Sequence, residues 1–72
     1  MTKWEYLLLI SKITVGGDEK PWIINGHGLR GWDKGPDLLD YINQLGDEGW
    51  ELVTEYKEAV GVRGYWFKRP KS

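Results

Sequence analysis

Apolar side chains at the start of this chain do not keep to one side. Residues 3–15, KWEYLLLISKITV, are rich in aromatic and β-branched residues and predict one long strand. One face carries Trp4, Tyr6, Leu8, Ile10, Lys12 and Thr14, and the other Glu5, Leu7, Leu9, Ser11, Ile13 and Val15. A sheet with one wet face needs clean alternation. Here both faces are apolar around Leu7–Ile10. Either another element covers the second face, or a second molecule does.

The period changes at Asp37–Val53, DLLDYINQLGDEGWELV. Leu38, Leu39, Ile42 and Leu45 fall at i, i+1, i+4 and i+7, which predicts an amphipathic helix with Tyr41 flanking its apolar face. Pro36 suits the first turn, and Asp37 and Asp40 put negative charge at the positive end of the helix dipole. Gly49 is the expected left-handed residue just past the helix, because glycine takes that conformation without strain. Trp50 then opens a strand with Leu52, Thr54 and Tyr56 on the same face. That apolar face should meet the helix and bury Trp50 against it. Residues 58–64 form a turn, and Gly64–Arg69 make the last strand, ended by Pro70.

Between the first strand and the helix the pattern weakens. Gly16-Gly17-Asp18-Glu19 is a turn, and Lys20–Ile24 a short strand that Pro21 restricts to a sheet edge. Residues 25–35, NGHGLRGWDKG, contain four glycines and no period. The expectation is a single α+β domain over residues 1–72: a small antiparallel or mixed sheet of three to four strands, with one helix packed on one face. A long Gly/Trp-rich loop spans residues 16–35. Loops of that length in compact domains are usually functional or disordered, and Trp22, Leu29 and Trp32 argue against full disorder.

The helix ending Leu45-Gly46-Asp47-Glu48-Gly49-Trp50-Glu51-Leu52-Val53 resembles the small bacterial family catalogued as domain of unknown function 4177. That family typically opens with an aromatic strand close to Trp-Glu-Tyr and closes near Lys-Arg. This chain has Trp4-Glu5-Tyr6 and Phe67-Lys68-Arg69 at the corresponding places. The match spans the first strand, the helix and the last two strands. The Gly16–Gly35 segment is longer than the family pattern. The resemblance implies a fold and no catalytic residues.

Composition narrows the picture. A chain of 72 residues has a small core, and five tryptophans supply much of its area. With no cysteine there is neither a disulfide nor a cysteine-ligated metal, and a cytoplasmic location is expected. A domain this small without such staples often oligomerises. Leu7–Ile10 is too short for a leader, and no apolar run reaches membrane-spanning length, so no membrane contact is expected. Net charge is −1, which makes nucleic acid an unlikely partner. Residues 37–58 hold seven acids and one lysine, while residues 63–72 hold four basic residues and no acid. Antiparallel pairing of the last two strands would set Glu51 and Glu55 across from Lys68 or Arg69.

Catalytic chemistry finds little support. His27 is the only histidine, Ser11 lies mid-strand and Ser72 is terminal, so a Ser-His-acid triad has a poor nucleophile. No metal-ligand spacing occurs, and no cofactor is expected. Gly26–Gly31 matches G-x-G-x-x-G as a string, but the chain is too short for a dinucleotide-binding domain and the helix starts late. The candidate binding residues are Trp22, His27, Arg30 and Trp32, where glycine N–H groups together with Arg30 and His27 could hold a small anionic or nucleotide-like ligand over two rings. The candidate self-association surface is Trp4, Tyr6, Leu8 and Ile10. The sequence therefore favours a non-enzymatic binding or interaction module: a homo-oligomer, most simply a dimer, with a protein partner. Ligand capture on the loop is the alternative.

Overall fold

A computed structural model describes residues 1–71. The chain forms strands β1 (Trp4–Ile13), β2 (Glu19–Ile24), β3 (His27–Gly28), β4 (Glu51–Ala59) and β5 (Val62–Pro70), and one helix, α1 (Leu38–Asp47). The strands make one antiparallel sheet in the order β3-β2-β1-β5-β4, and α1 packs on one side of it. This is the expected α+β layout, with five strands rather than three to four.

The extra strand comes from residues 25–28. Asn25 and Gly26 take left-handed conformations with φ of 49° and 84°, and join β2 to the two-residue β3 in a tight hairpin. Asn25 is also held to β1: its amide side chain accepts from the Leu8 N–H, and its own N–H donates to the Leu8 carbonyl, both at 2.9 Å. Trp32–Lys34 then form one 3-10 turn. The Gly/Trp-rich segment is thus built from short ordered pieces.

The buried core is Leu7 and Leu9 of β1, Tyr65 and Phe67 of β5, and Leu38 and Leu45 of α1. Ile24, Tyr41, Ile42 and Trp50 pack around it. The helix face therefore runs through Leu38, Tyr41, Ile42 and Leu45, at i, i+3, i+4 and i+7. Leu39, one position off this face, is 68% exposed instead of buried. The helix ends as its sequence predicts. Gly49 has φ 91°, its N–H bonds the Gly46 carbonyl, and the Trp50 N–H reaches back to Leu45. Asp37 is the N-cap residue, so Pro36 lies just before the helix, not in its first turn.

Three β-bulges interrupt the register, one opposite Ile10/Ser11 and two on β4 at Val53 and between Lys57 and Ala59, and they reassign side chains between faces. Leu52 pairs with Phe67 and Thr54 with Trp66, so Val53 is the extra residue on β4. Leu52 then lies on the helix side and Thr54 and Tyr56 on the opposite side, which breaks the single face expected for β4. Trp50 sits ahead of this strand and is half-buried at the margin of the core. In β2, Ile23 pairs with Ile10 and Pro21 with Ser11, so Trp22 is the extra residue.

Candidate interaction surface

With α1 committed to the Leu7–Leu9 side, the other side of the sheet has no covering layer among the described elements. Alternation along β1 puts Trp4, Tyr6, Leu8 and Ile10 there, and the register of β5 adds Trp66 beside Leu8. Tyr56 of β4 joins them across Gly64, which lies beside Ile10. A Cβ on Gly64 would sit 2.2 Å from the Tyr56 ring, so glycine here gives the ring its seat. Trp4, Tyr6, Trp66 and Tyr56 are 41%, 59%, 39% and 37% exposed. Together these four rings leave roughly 400 Å² of largely aromatic surface open, within the range of the largest patches that monomers leave uncovered. Leu8, Ile10 and Ile23 are half-buried among them.

Cations frame this face. Lys68 lies over the Trp4 ring, 4.4 Å from its centroid. At the other end of β1, Lys12 sits 4.5 Å from Trp22 and 5.6 Å from Trp32. The two indoles are 6.2 Å apart and tilted by 52°. The Gly/Trp segment therefore does fold back over the sheet, but only at the Lys12 end. Partly exposed contacts of this kind contribute about 0.5–1 kcal/mol each and hold both lysines against rings.

The four candidate binding residues are not gathered in one place. Trp22 and Trp32 meet, and the cation held against them is Lys12. His27 is exposed opposite Ile24, on the helix side of the sheet, away from the tryptophan pair. Arg30 is exposed and makes no side-chain hydrogen bond or ion pair among the described residues. Lys12, Trp66 and Tyr56 are the surface residues that the sequence analysis did not single out. The consecutive aromatics Tyr65-Trp66-Phe67 carried a usable signal, since three in a row must place rings on both faces.

On the helix side, a groove of about 360 Å³ lies between α1 and the turn after β1, lined by Asp18, Glu19, Asp37, Leu38, Leu39, Ile42 and Tyr65 among others. Two of its three acids, Glu19 and Asp37, are already engaged. Glu19 accepts hydrogen bonds from the Ser11 hydroxyl at 2.6 Å and the Tyr65 hydroxyl at 3.0 Å. Lys20 donates to Asp37 at 3.0 Å and to the Gly35 carbonyl at 2.8 Å, tying the segment after the 3-10 turn to β2. Among the described residues, no three histidine, aspartate or glutamate side chains cluster as a metal site.

Burial, followed by the neighbouring Glu19 carboxylate, raises the Tyr65 hydroxyl above its ordinary value of 10.0. The folded chain then holds this proton more tightly than the unfolded chain. The resulting stability is present in full below pH 10 and is lost as pH rises through the folded value. Tyr65→Phe should therefore flatten the alkaline fall in urea midpoint above about pH 10. Some slope should persist, because burial and then Glu48 raise Tyr41 in the same direction.

Strand β1, the end of α1 and strand β5 converge at one end of the molecule. Arg69 pairs with Glu5 through Nε, donates from Nη1 to the Glu48 carbonyl at 2.8 Å, and lays its guanidinium 4.2 Å from the centre of the Trp50 ring. Lys68 faces Glu51 in register, as expected for antiparallel neighbours, while Glu55 faces Tyr65. No protein-family model matches the chain, and neither a curated protein nor a solved structure is similar enough to carry an argument. No helix is long and apolar enough to cross a membrane.

Proposed function

We propose that this chain is a non-enzymatic interaction module that self-associates and docks through the open aromatic face of its sheet. The observation that carries this reading is the row Trp4, Tyr6, Leu8, Ile10, Trp66 and Tyr56 on the side away from the helix. A face-to-face packing of two such sheets would supply the second hydrophobic layer that each lacks. The rings provide rigid contact area at low cost in side-chain entropy. Single-stranded nucleic acid suits this face less well. By register its cations are Lys12, Lys20 and Lys68, the first and last held on tryptophans and Lys20 paired with Asp37, and Glu51 stands beside Lys68.

Sedimentation at a few to tens of micromolar tests the reading. The wild type should run above its monomer mass of 8.4 kDa. Tyr6→Lys should weaken association at least tenfold while leaving the melting temperature nearly unchanged, since Tyr6 is mostly exposed in the single chain. A wild type at monomer mass, or an association indifferent to Tyr6→Lys, would remove the open face from the argument.

A further inference from the structure

The open face is not the only uncovered part of the sheet. Every residue of β4, Glu51 to Ala59, is exposed. The strand ends the sheet order, so its outer edge pairs with nothing among the described residues. Its charges are also unbalanced within the chain. Lys57 stands directly opposite Arg63, a like-charge pair, and neither forms an ion pair among the described residues. Like charges in that relation are unfavourable. Two residues away on the same face is Glu55, whose cross-strand neighbour is Tyr65 and not a cation.

We propose that a second copy of this chain adds its own β4 antiparallel to this edge, with Tyr56 on the two-fold axis. Register and charge select that arrangement. Centring the pair on Glu55 puts Glu55 opposite its own copy, and centring it on Lys57 puts lysine opposite lysine. Centring on Tyr56 sets Glu55 of each copy opposite Lys57 of the other, so the contact is neutral twice over. The same register places the two Tyr56 rings side by side on the open face. It also supplies each Lys57–Arg63 pair with the carboxylate it lacks. The bulges at Val53 and at Lys57/Ala59 confine regular pairing to a short stretch. Bulges and charges of this kind oppose open-ended edge growth, and a closed two-fold contact is what they leave room for.

The product is a continuous ten-stranded sheet with both helices on one side and both aromatic faces on the other. This contact does not depend on the open face. Its axis stands normal to the sheet, whereas the axis of a face-to-face contact lies in the plane of the sheet. The two contacts together close as a dihedral tetramer where these axes intersect, and propagate as a filament where they do not.

Charge reversal tests the edge separately from the face. Lys57→Glu places four acids across the contact, yet within its own chain it sets an acid opposite Arg63, so the fold should survive. The expected result is a halved mass by sedimentation, from tetramer to dimer or from dimer to monomer, with affinity at the edge down at least tenfold. Adding Glu55→Lys to the same chain restores opposite charges and should restore the original mass. The chain has no cysteine, and directly opposed residues in an antiparallel pair have Cα atoms about 4.5–5.5 Å apart, within disulfide range. Tyr56→Cys should therefore oxidise to a covalent dimer, while Val60→Cys in the exposed turn should not. A mass unchanged by Lys57→Glu, or not restored by the double reversal, overturns the proposal even if the open face proves to be an interface. A wild type that is monomeric overturns it too, and leaves the edge to an extended segment of another protein.

Discussion

Glu19→Ala is expected to destabilise the fold by about 2–3 kcal/mol, because it leaves two buried hydroxyls without an acceptor. Ser11 is wholly inaccessible and Tyr65 nearly so, and both donate to the same Glu19 carboxylate oxygen. Against a total stability of about 5 kcal/mol for a domain of this size, most of the margin would go. The loss belongs to the orphaned hydroxyls and not to the carboxylate itself, and that distinction can be measured. In the wild type, Tyr65→Phe removes a satisfied hydrogen bond and should cost about 1 kcal/mol. In the Glu19→Ala background the same change removes an unsatisfied hydroxyl and should raise the urea midpoint. A double-mutant cycle then gives a non-zero coupling, the double mutant being less destabilised than the sum of the two single changes. Additive losses would mean that water from the adjoining groove reaches both hydroxyls once the carboxylate is gone.

That cluster also marks where sequence reading stops. Glu19 reads as a turn residue, because its partners lie on β1 and on β5, 46 positions away. No local pattern announces a side chain that ties three strands together. The end of the helix was legible, because Gly49, Gly46 and Leu45 form their bonds within one turn of chain. The doubly apolar strand was legible too, because alternation alone shows that Leu7–Ile10 has side chains to bury on both faces. The bulges at Val53 and Trp22 were not. Each depends on register against a partner strand, and a single inserted residue sends Leu52 and Tyr56 to opposite sides of the sheet. Leu39 misled for a related reason: at i+1 it lies near the apolar stripe, but only Tyr41 at i+3 completes the face that reaches the sheet. Asn25-Gly26 carried a hairpin signal. It was masked because the strand after it is only two residues long, too short to show a period. Of the candidate binding residues, sequence proximity gathered Trp22, His27, Arg30 and Trp32 into one loop. The hairpin separates them, since successive positions on a strand face opposite ways.

Arg69→Ala is expected to cost about 2 kcal/mol, more than a single exposed ion pair is worth. The pair with Glu5 is half-exposed on both sides and would contribute little alone. Arg69 also satisfies the carbonyl of Glu48, the residue that closes α1, and covers the Trp50 ring that follows it. One planar group thus joins the first strand, the end of the helix and the last strand. Three contacts from one fork are available to arginine and not to lysine, whose single ammonium cannot reach a carboxylate and a carbonyl while also covering an indole. Arg69→Lys should therefore recover less than half of the loss, although it keeps the charge. Both variants should lower the melting temperature, by roughly 8–16 °C for alanine if each kcal/mol is worth about 4–8 °C in a domain this small. They should also speed amide exchange at Gly49 and Trp50 ahead of the rest of α1. Full rescue by lysine would reduce Arg69 to a surface charge and leave the helix end held by Gly49 alone.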